Sequence, residues 1–223
     1  MPEDLVHGMA DSEHTASDNA ATQPDRNIPE ASLAERKALL RKELLTARSR
    51  LSDDDRKRAG SAVRDLLLDL PEVQMAGTIA AYLSIGTEPS TTSLVFALWK
   101  RGSYVLLPLL CEDNDLDWAS YEGPDSLVPG PRGLLQPSET PRGVAAITSA
   151  DFVIVPALAV GRDGVRLGRG GGSYDRALAR VGHSVPTVAL LYEGELLPSV
   201  PAGPRDQRVR AVAQPGQGII RLA

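Results

Sequence analysis

The chain has one cysteine, Cys111, and three histidines in 223 residues. One cysteine excludes an internal disulfide framework, and so few histidines exclude a Cys/His zinc cluster. His7 and His14 lie in a polar N-terminal stretch, so a Ser-His-Asp or Cys-His enzyme would have to use His183. His183 stands in V-G-H-S-V-P, a helix-to-strand turn, and reads as a solvated loop residue. Cys111 follows L-P-L-L and reads as a half-buried thiol at a strand end. No apolar run reaches the ~18 residues of a membrane span. The N-terminus lacks the basic start and apolar segment of a secretory signal. The expectation is a cytoplasmic protein with no membrane partner. A basic excess is missing too: 24 Lys and Arg face 29 Asp and Glu, a net charge of −5. That argues against a nucleic-acid partner, which needs a broad cationic surface, and leaves room for a local basic site for a small anion.

Hydrophobic residues make up 42% and charged residues 24%, the balance of an ordinary globular domain. Residues 1–29 are rich in Asp, Glu, Ser, Thr, Asn and Ala and read as a disordered tail, with Met9 as an alternative start. Residues 30–223 read as one domain. Ser32 and Glu35 are spaced as a capping box, and Leu33, Leu39, Leu40, Leu44, Leu45 and Leu51 give an approximate helical stripe. The other face carries Arg36, Lys37, Arg41, Lys42 and Arg48, which on pattern alone reads as solvated surface. S-D-D-D at 52–55 opens a second helix that stops before Pro71.

Strands are predicted over 78–85, 103–108, 116–121, 151–156, 186–192 and 208–213, with 116–121 as an edge. Helices are predicted over 89–102 and from the glycine stretch to Arg180. Residues 122–149 read as a long connection with possible short strands. Apolar strands alternating with helices imply an α/β fold, a mainly parallel sheet flanked by helices in a Rossmann-like three-layer arrangement. Ligands in such folds sit outside the C-terminal strand ends. That singles out the loops after 78–85 and 103–108 and the glycine stretch after 151–156.

The glycine stretch reads R-L-G-R-G-G-G-S-Y-D-R-A-L from Arg166 to Leu178. Gly168, Gly170, Gly171 and Gly172 let the backbone turn tightly and approach a ligand, forming an anion nest ahead of a helix. Arg166 and Arg169 add charge that can fork onto phosphate or carboxylate oxygens. G-x-x-x-x-G-K-[ST] fails for want of a lysine, and G-x-G-x-x-G fails because position 173 is serine. Asp175 either complements the helix dipole or holds Mg²⁺ beside a nucleotide. Tyr174 either stacks on a ring or packs in the core.

This stretch resembles the signature of the 5-formyltetrahydrofolate cyclo-ligase family. Two further stretches agree in order and spacing: K-A-L-L-R, with Lys37 and Arg41, and Y-L-S-I-G-T-E-P-S-T, with Leu83 and Glu88. The resemblance spans roughly residues 32–214. It implies ATP- and Mg²⁺-dependent closure of 5-formyltetrahydrofolate to 5,10-methenyltetrahydrofolate, with release of ADP and phosphate. It further implies Lys37, Arg41, Arg166, Gly168, Gly170 and Gly172 as ATP contacts. Leu83, Glu88, Arg169, Gly170, Gly171, Gly172 and Ser173 are implied as the site for a reduced folate. Arg166 and Tyr174 are implied as catalytic residues and Asp175 and Asp206 as Mg²⁺ ligands; a monomer is the expected working form. Ser173 stands where the pattern has tyrosine, and Arg210, Ala213 and Gln214 depart from it. Two alternatives stay open: a non-catalytic folate- or phosphate-binding module, and an ATP-using relative with another substrate.

Overall fold

The computed structural model describes residues 32–222. The expected tail, residues 1–29, and the alternative start at Met9 lie outside them. Helix α1 (Leu33–Ser49) begins at the expected capping box: the Ser32 hydroxyl accepts from the Glu35 N–H, and the Glu35 carboxylate accepts from the Ser32 N–H at 2.8 Å. Helix α2 (Asp53–Leu68) repeats the device with Ser52 and Asp55. Pro71 does more than stop α2. It opens a short helix, α3 (Pro71–Met75), at a position where its missing N–H has no intrahelical partner to lose.

Strand β1 (Thr78–Ala80) is shorter than expected over 78–85. Beyond it the Tyr82 carbonyl accepts from the Thr91 hydroxyl and the Ser84 N–H donates to that hydroxyl, which draws the chain into a loop. Then come α4 (Thr92–Lys100), β2 (Tyr104–Leu110) and β3 (Leu116–Ser120). The long connection holds a small hairpin, β4 (Leu127–Pro129) and β5 (Leu135–Pro137), and three 3-10 turns. After β6 (Phe152–Pro156) comes an unexpected hairpin, β7 (Ala159–Gly161) with β8 (Arg166–Leu167). Helix α5 (Ser173–Leu178), β9 (Thr187–Leu190), β10 (Leu196–Leu197), β11 (Ala211–Gln214) and β12 (Gly218–Arg221) complete the fold.

The main sheet runs β12-β11-β9-β6-β1-β2-β3. The five inner strands are parallel, and β12 and β3 close the edges antiparallel. Alternation along β6 shows why both faces are covered. Phe152 and Ile154 join the α2, α3 and α4 side with Leu67, Val73 and Leu98. Val153 and Val155 join the opposite side with Ile147, Ala177 and Leu178. A second, three-stranded sheet, β10-β7-β8, carries its own small apolar cluster. Leu40 and Leu44 of α1 pack on that cluster. The expected α/β three-layer architecture is what the chain adopts.

Candidate active site

The loop after β1, the end of β2 and the glycine stretch after β8 converge on one cleft of about 1030 Å³. This is the strand-end location that parallel sheets reserve for ligands. Lys37 and Arg41 reach it from α1, and Asp206 reaches it from the segment before β11. Pro108, Leu110, Leu116 and Leu134 supply an apolar wall.

Arg166 and Leu167, read as part of a loop, form strand β8 instead. That placement gives Arg166 a rigid base, and it is 4% exposed. Its Nη1 donates to the Pro156 carbonyl at 3.1 Å and its Nη2 to Asp175 Oδ1 at 3.1 Å. A Cβ on Gly168 would stand 2.6 Å from Arg166 Nη1, so the glycine leaves room for the guanidinium. Gly170 and Gly172 have φ of 105° and 71°, the region where a side chain is strained. Gly172 is the residue from which α5 starts, and Asp175 sits on that helix's first turn. Arg41 Nε donates to the Gly168 carbonyl at 2.9 Å, tying α1 to the glycine stretch.

Three cations of the cleft are paired with its three carboxylates. Lys37 Nζ lies 2.6 and 2.5 Å from the Asp206 oxygens. Arg166 pairs with Asp175, and Arg169 Nε lies 3.2 Å from Glu88 Oε1. Burial pushes the Glu88 carboxyl above the usual range, partly offset by the Ile85 N–H and by Arg169. Burial acts on Asp206 in the same direction. There the Lys37 ammonium and the Gly203 N–H outweigh it and hold the carboxyl below its ordinary value. Burial drives the Tyr174 hydroxyl well above its ordinary value, reinforced by Glu88, so it stays protonated at neutral pH. The Arg166 guanidinium lies 5.6 Å over the Tyr174 ring.

Asp175 Oδ1 also accepts from the Gln207 N–H, which places Asp175 beside the Asp206 segment. Among the described residues no group of three or more His, Cys, Asp or Glu could hold a metal. Two neighbouring carboxylates are the donor set that suits an ion carried in with phosphate oxygens, as Mg²⁺ is.

The chain matches the 5-formyltetrahydrofolate cyclo-ligase family over residues 33–215. The chain belongs to that family. It is 36% identical over 192 residues to a Mycolicibacterium smegmatis protein named 5-formyltetrahydrofolate cyclo-ligase, covering 83% of this chain and 97% of that one. An Escherichia coli protein of the same name is 30% identical over 173 residues, covering 76% and 95%. The solution structure of Aquifex aeolicus 5,10-methenyltetrahydrofolate synthetase superposes with a TM-score of 0.73 at 29% identity, covering 83% of this chain and 92% of that one.

Within this cyclo-ligase framework, nearly all the residues expected at the site face the cleft: Lys37, Arg41, Glu88, Arg166, every residue from Gly168 to Asp175, and Asp206. Leu83 does not; it is half-buried against the main core cluster. Of the departures from the family pattern, Ser173 lines the cleft, and the other three fall outside it. Ala213 is buried in β11, and Gln214 is buried with its Nε2 on the Tyr192 carbonyl at 2.7 Å. Arg210 is exposed, with its N–H on Thr187. Two features escaped sequence reasoning. The apolar wall joins residues of β2, β3 and the 122–149 connection, and nothing in the sequence marks them as one surface. Arg48, read as solvated, is 1% exposed.

Proposed function

We propose that the protein closes 5-formyltetrahydrofolate to 5,10-methenyltetrahydrofolate at the expense of ATP, releasing ADP and phosphate. The observation that carries this reading is the composition of one cleft. Lys37, Arg41, Arg166 and Arg169 meet Glu88, Asp175 and Asp206 there, beside an apolar wall. Such a cleft suits a polyanion and a flat, partly apolar ring system together. Phosphoryl transfer asks the protein for position and charge rather than for a covalent nucleophile. A site without histidine or cysteine is therefore adequate.

In this reading Lys37, Arg41 and Arg166 bind the ATP phosphates, with backbone N–H groups of Gly168, Gly170 and Gly172. Arg166 faces the charge that builds on the transferring phosphoryl group as the formyl oxygen is phosphorylated. Glu88 accepts hydrogen bonds from ring N–H donors of the folate, and Arg169 to Ser173 complete that subsite; Leu83, packed on the core, supports the loop that carries Glu88 instead of touching the ligand. Tyr174 stays neutral and orients Arg166 through its ring; it cannot serve as a base. Asp175 and Asp206 hold Mg²⁺, which would supply neutralising charge to the phosphates. The same reading keeps a monomer in the cytoplasm, a domain over residues 30–223, and no nucleic-acid or membrane partner. No helix among the described residues is long and apolar enough to cross a membrane.

The test is the appearance of methenyltetrahydrofolate absorbance from 5-formyltetrahydrofolate, with and without ATP and with and without Mg²⁺. An increase that needs both supports the reading. No increase from folded protein refutes it.

A further inference from the structure

Helix α1 brings Lys37 and Arg41 to the cleft, yet it contributes nothing to the two large core clusters. Arg48 is its one buried residue. Lys37, Arg41, Leu44 and Arg48 stand at i, i+4, i+7 and i+11, on one face of the helix. That face turns inward, while Leu39 on another face is 60% exposed. The basic face is thus the docking face.

At its end Arg48 makes a forked pair with Glu195, which is 6% exposed. Nε lies 2.7 Å from Oε1 and Nη2 lies 2.7 Å from Oε2. Nη2 also donates to the Ala157 carbonyl at 2.7 Å. The Glu195 carboxylate in turn accepts from the Tyr192 N–H at 2.8 Å, and the Tyr192 ring lies 5.3 Å from Arg48 Cζ. The preceding carbonyl, Pro156, is the one that Arg166 holds. Two buried arginines therefore cap consecutive carbonyls at the end of β6, one from the candidate active site and one from α1.

We infer that the Arg48–Glu195 pair is a positioning element: it fixes α1 against the ends of β6 and β9 and so sets where Lys37 and Arg41 stand over the glycine stretch. This rests on the proposed nucleotide role of those two residues. Arg48 lies seven residues from Arg41, about 10 Å along the helix, and acts through it. The fork is essential, because a lysine's single ammonium cannot serve both carboxylate oxygens and the Ala157 carbonyl in that geometry.

The experiment compares parent, Arg48→Lys, Arg48→Met, Glu195→Leu and the Arg48→Met/Glu195→Leu double variant. The readouts are MgATP affinity, KM for each substrate, and amide hydrogen exchange over residues 33–49. The single variants should raise Kd and KM for ATP about tenfold and leave the folate KM within twofold. They should lose exchange protection in α1 alone, because the sheet core does not depend on it. The double variant replaces a buried charge pair with apolar contact and should recover most of the loss. Unchanged ATP affinity with a lowered Tm would overturn the inference, as would equal rises in both KM values or a double variant no better than the singles. A parent that binds no MgATP would sink the functional reading and this one with it. A parent that binds MgATP beside single variants that match it would sink this one alone.

Discussion

Arg166→Ala tests the active-site reading most directly. The guanidinium is nearly buried and bonds to the Pro156 carbonyl and Asp175. Truncating one partner of a buried, hydrogen-bonded charge pair costs about 2–5 kcal/mol. If that loss falls on the transition state, kcat/KM for ATP drops by about 30-fold to several thousand-fold. The cleft is open to water, so the lower part of that range applies, and about 100-fold is expected. Arg64 is the control: it pairs with the exposed Asp65 on α2, outside the cleft, where removal of the same charge should change kcat/KM less than twofold. Initial rates of methenyltetrahydrofolate formation at varied ATP and saturating folate give the comparison. Arg166→Lys supplies a third arm. It keeps the charge but cannot reach the Pro156 carbonyl, Asp175 and a phosphate together, so its rate should lie closer to alanine than to parent. A change under threefold in Arg166→Ala, or equal effects at Arg166 and Arg64, would refute the reasoning.

Two further perturbations address neighbouring parts of the cleft. Gly168→Ala places a methyl 2.6 Å from Arg166 Nη1, so it should raise the ATP KM at least tenfold while circular dichroism and Tm stay near parent values; an unchanged KM would show that the guanidinium moves freely. Glu88→Gln should raise the folate KM at least tenfold without altering MgATP affinity. It should also raise the ligand-free Tm at pH 8 and not at pH 4. Burial lifts the Glu88 carboxyl pKa above its unfolded value, so the folded state loses stability as pH rises through the folded pKa, and glutamine removes that loss. A Tm gain at pH 4 equal to that at pH 8 would contradict the assignment of burial as the cause.

How legible these features were depends on what each residue answers to. Both capping boxes and the apolar runs of β2, β6 and β9 respond to local chemistry, and a linear reading captures them. Hairpin β7–β8 did not show because β8 is two residues long and opens with Arg166, whose burial depends on a carbonyl ten residues back and an acid nine residues on. Strand β12 is a four-residue edge, G-I-I-R, whose pairing with β11 carries no local marker. Arg48 shows the limit most clearly. Hydrophobic periodicity sends arginines outward, and partners distant in sequence, Glu195 147 residues later and the Ala157 carbonyl 109 residues later, turn this one inward. For the site itself, the glycine stretch and its spacing to Lys37, Arg41 and Glu88 were readable because they are sequence patterns. The apolar wall is built by tertiary convergence and was not.

The pairing of charges inside the cleft has a consequence for which ligands it admits. Lys37 already neutralises Asp206, Arg166 neutralises Asp175, and Arg169 neutralises Glu88. A lone anion that recruits one of these cations abandons a carboxylate, and a lone metal ion that recruits a carboxylate abandons a cation. A ligand bearing both signs can trade with both members of a pair at once and leave nothing stranded. In the proposed reading these three pairs buffer the cleft against simple salts, and a preference for a metal-loaded polyphosphate follows from the exchange of partners rather than from any single strong contact.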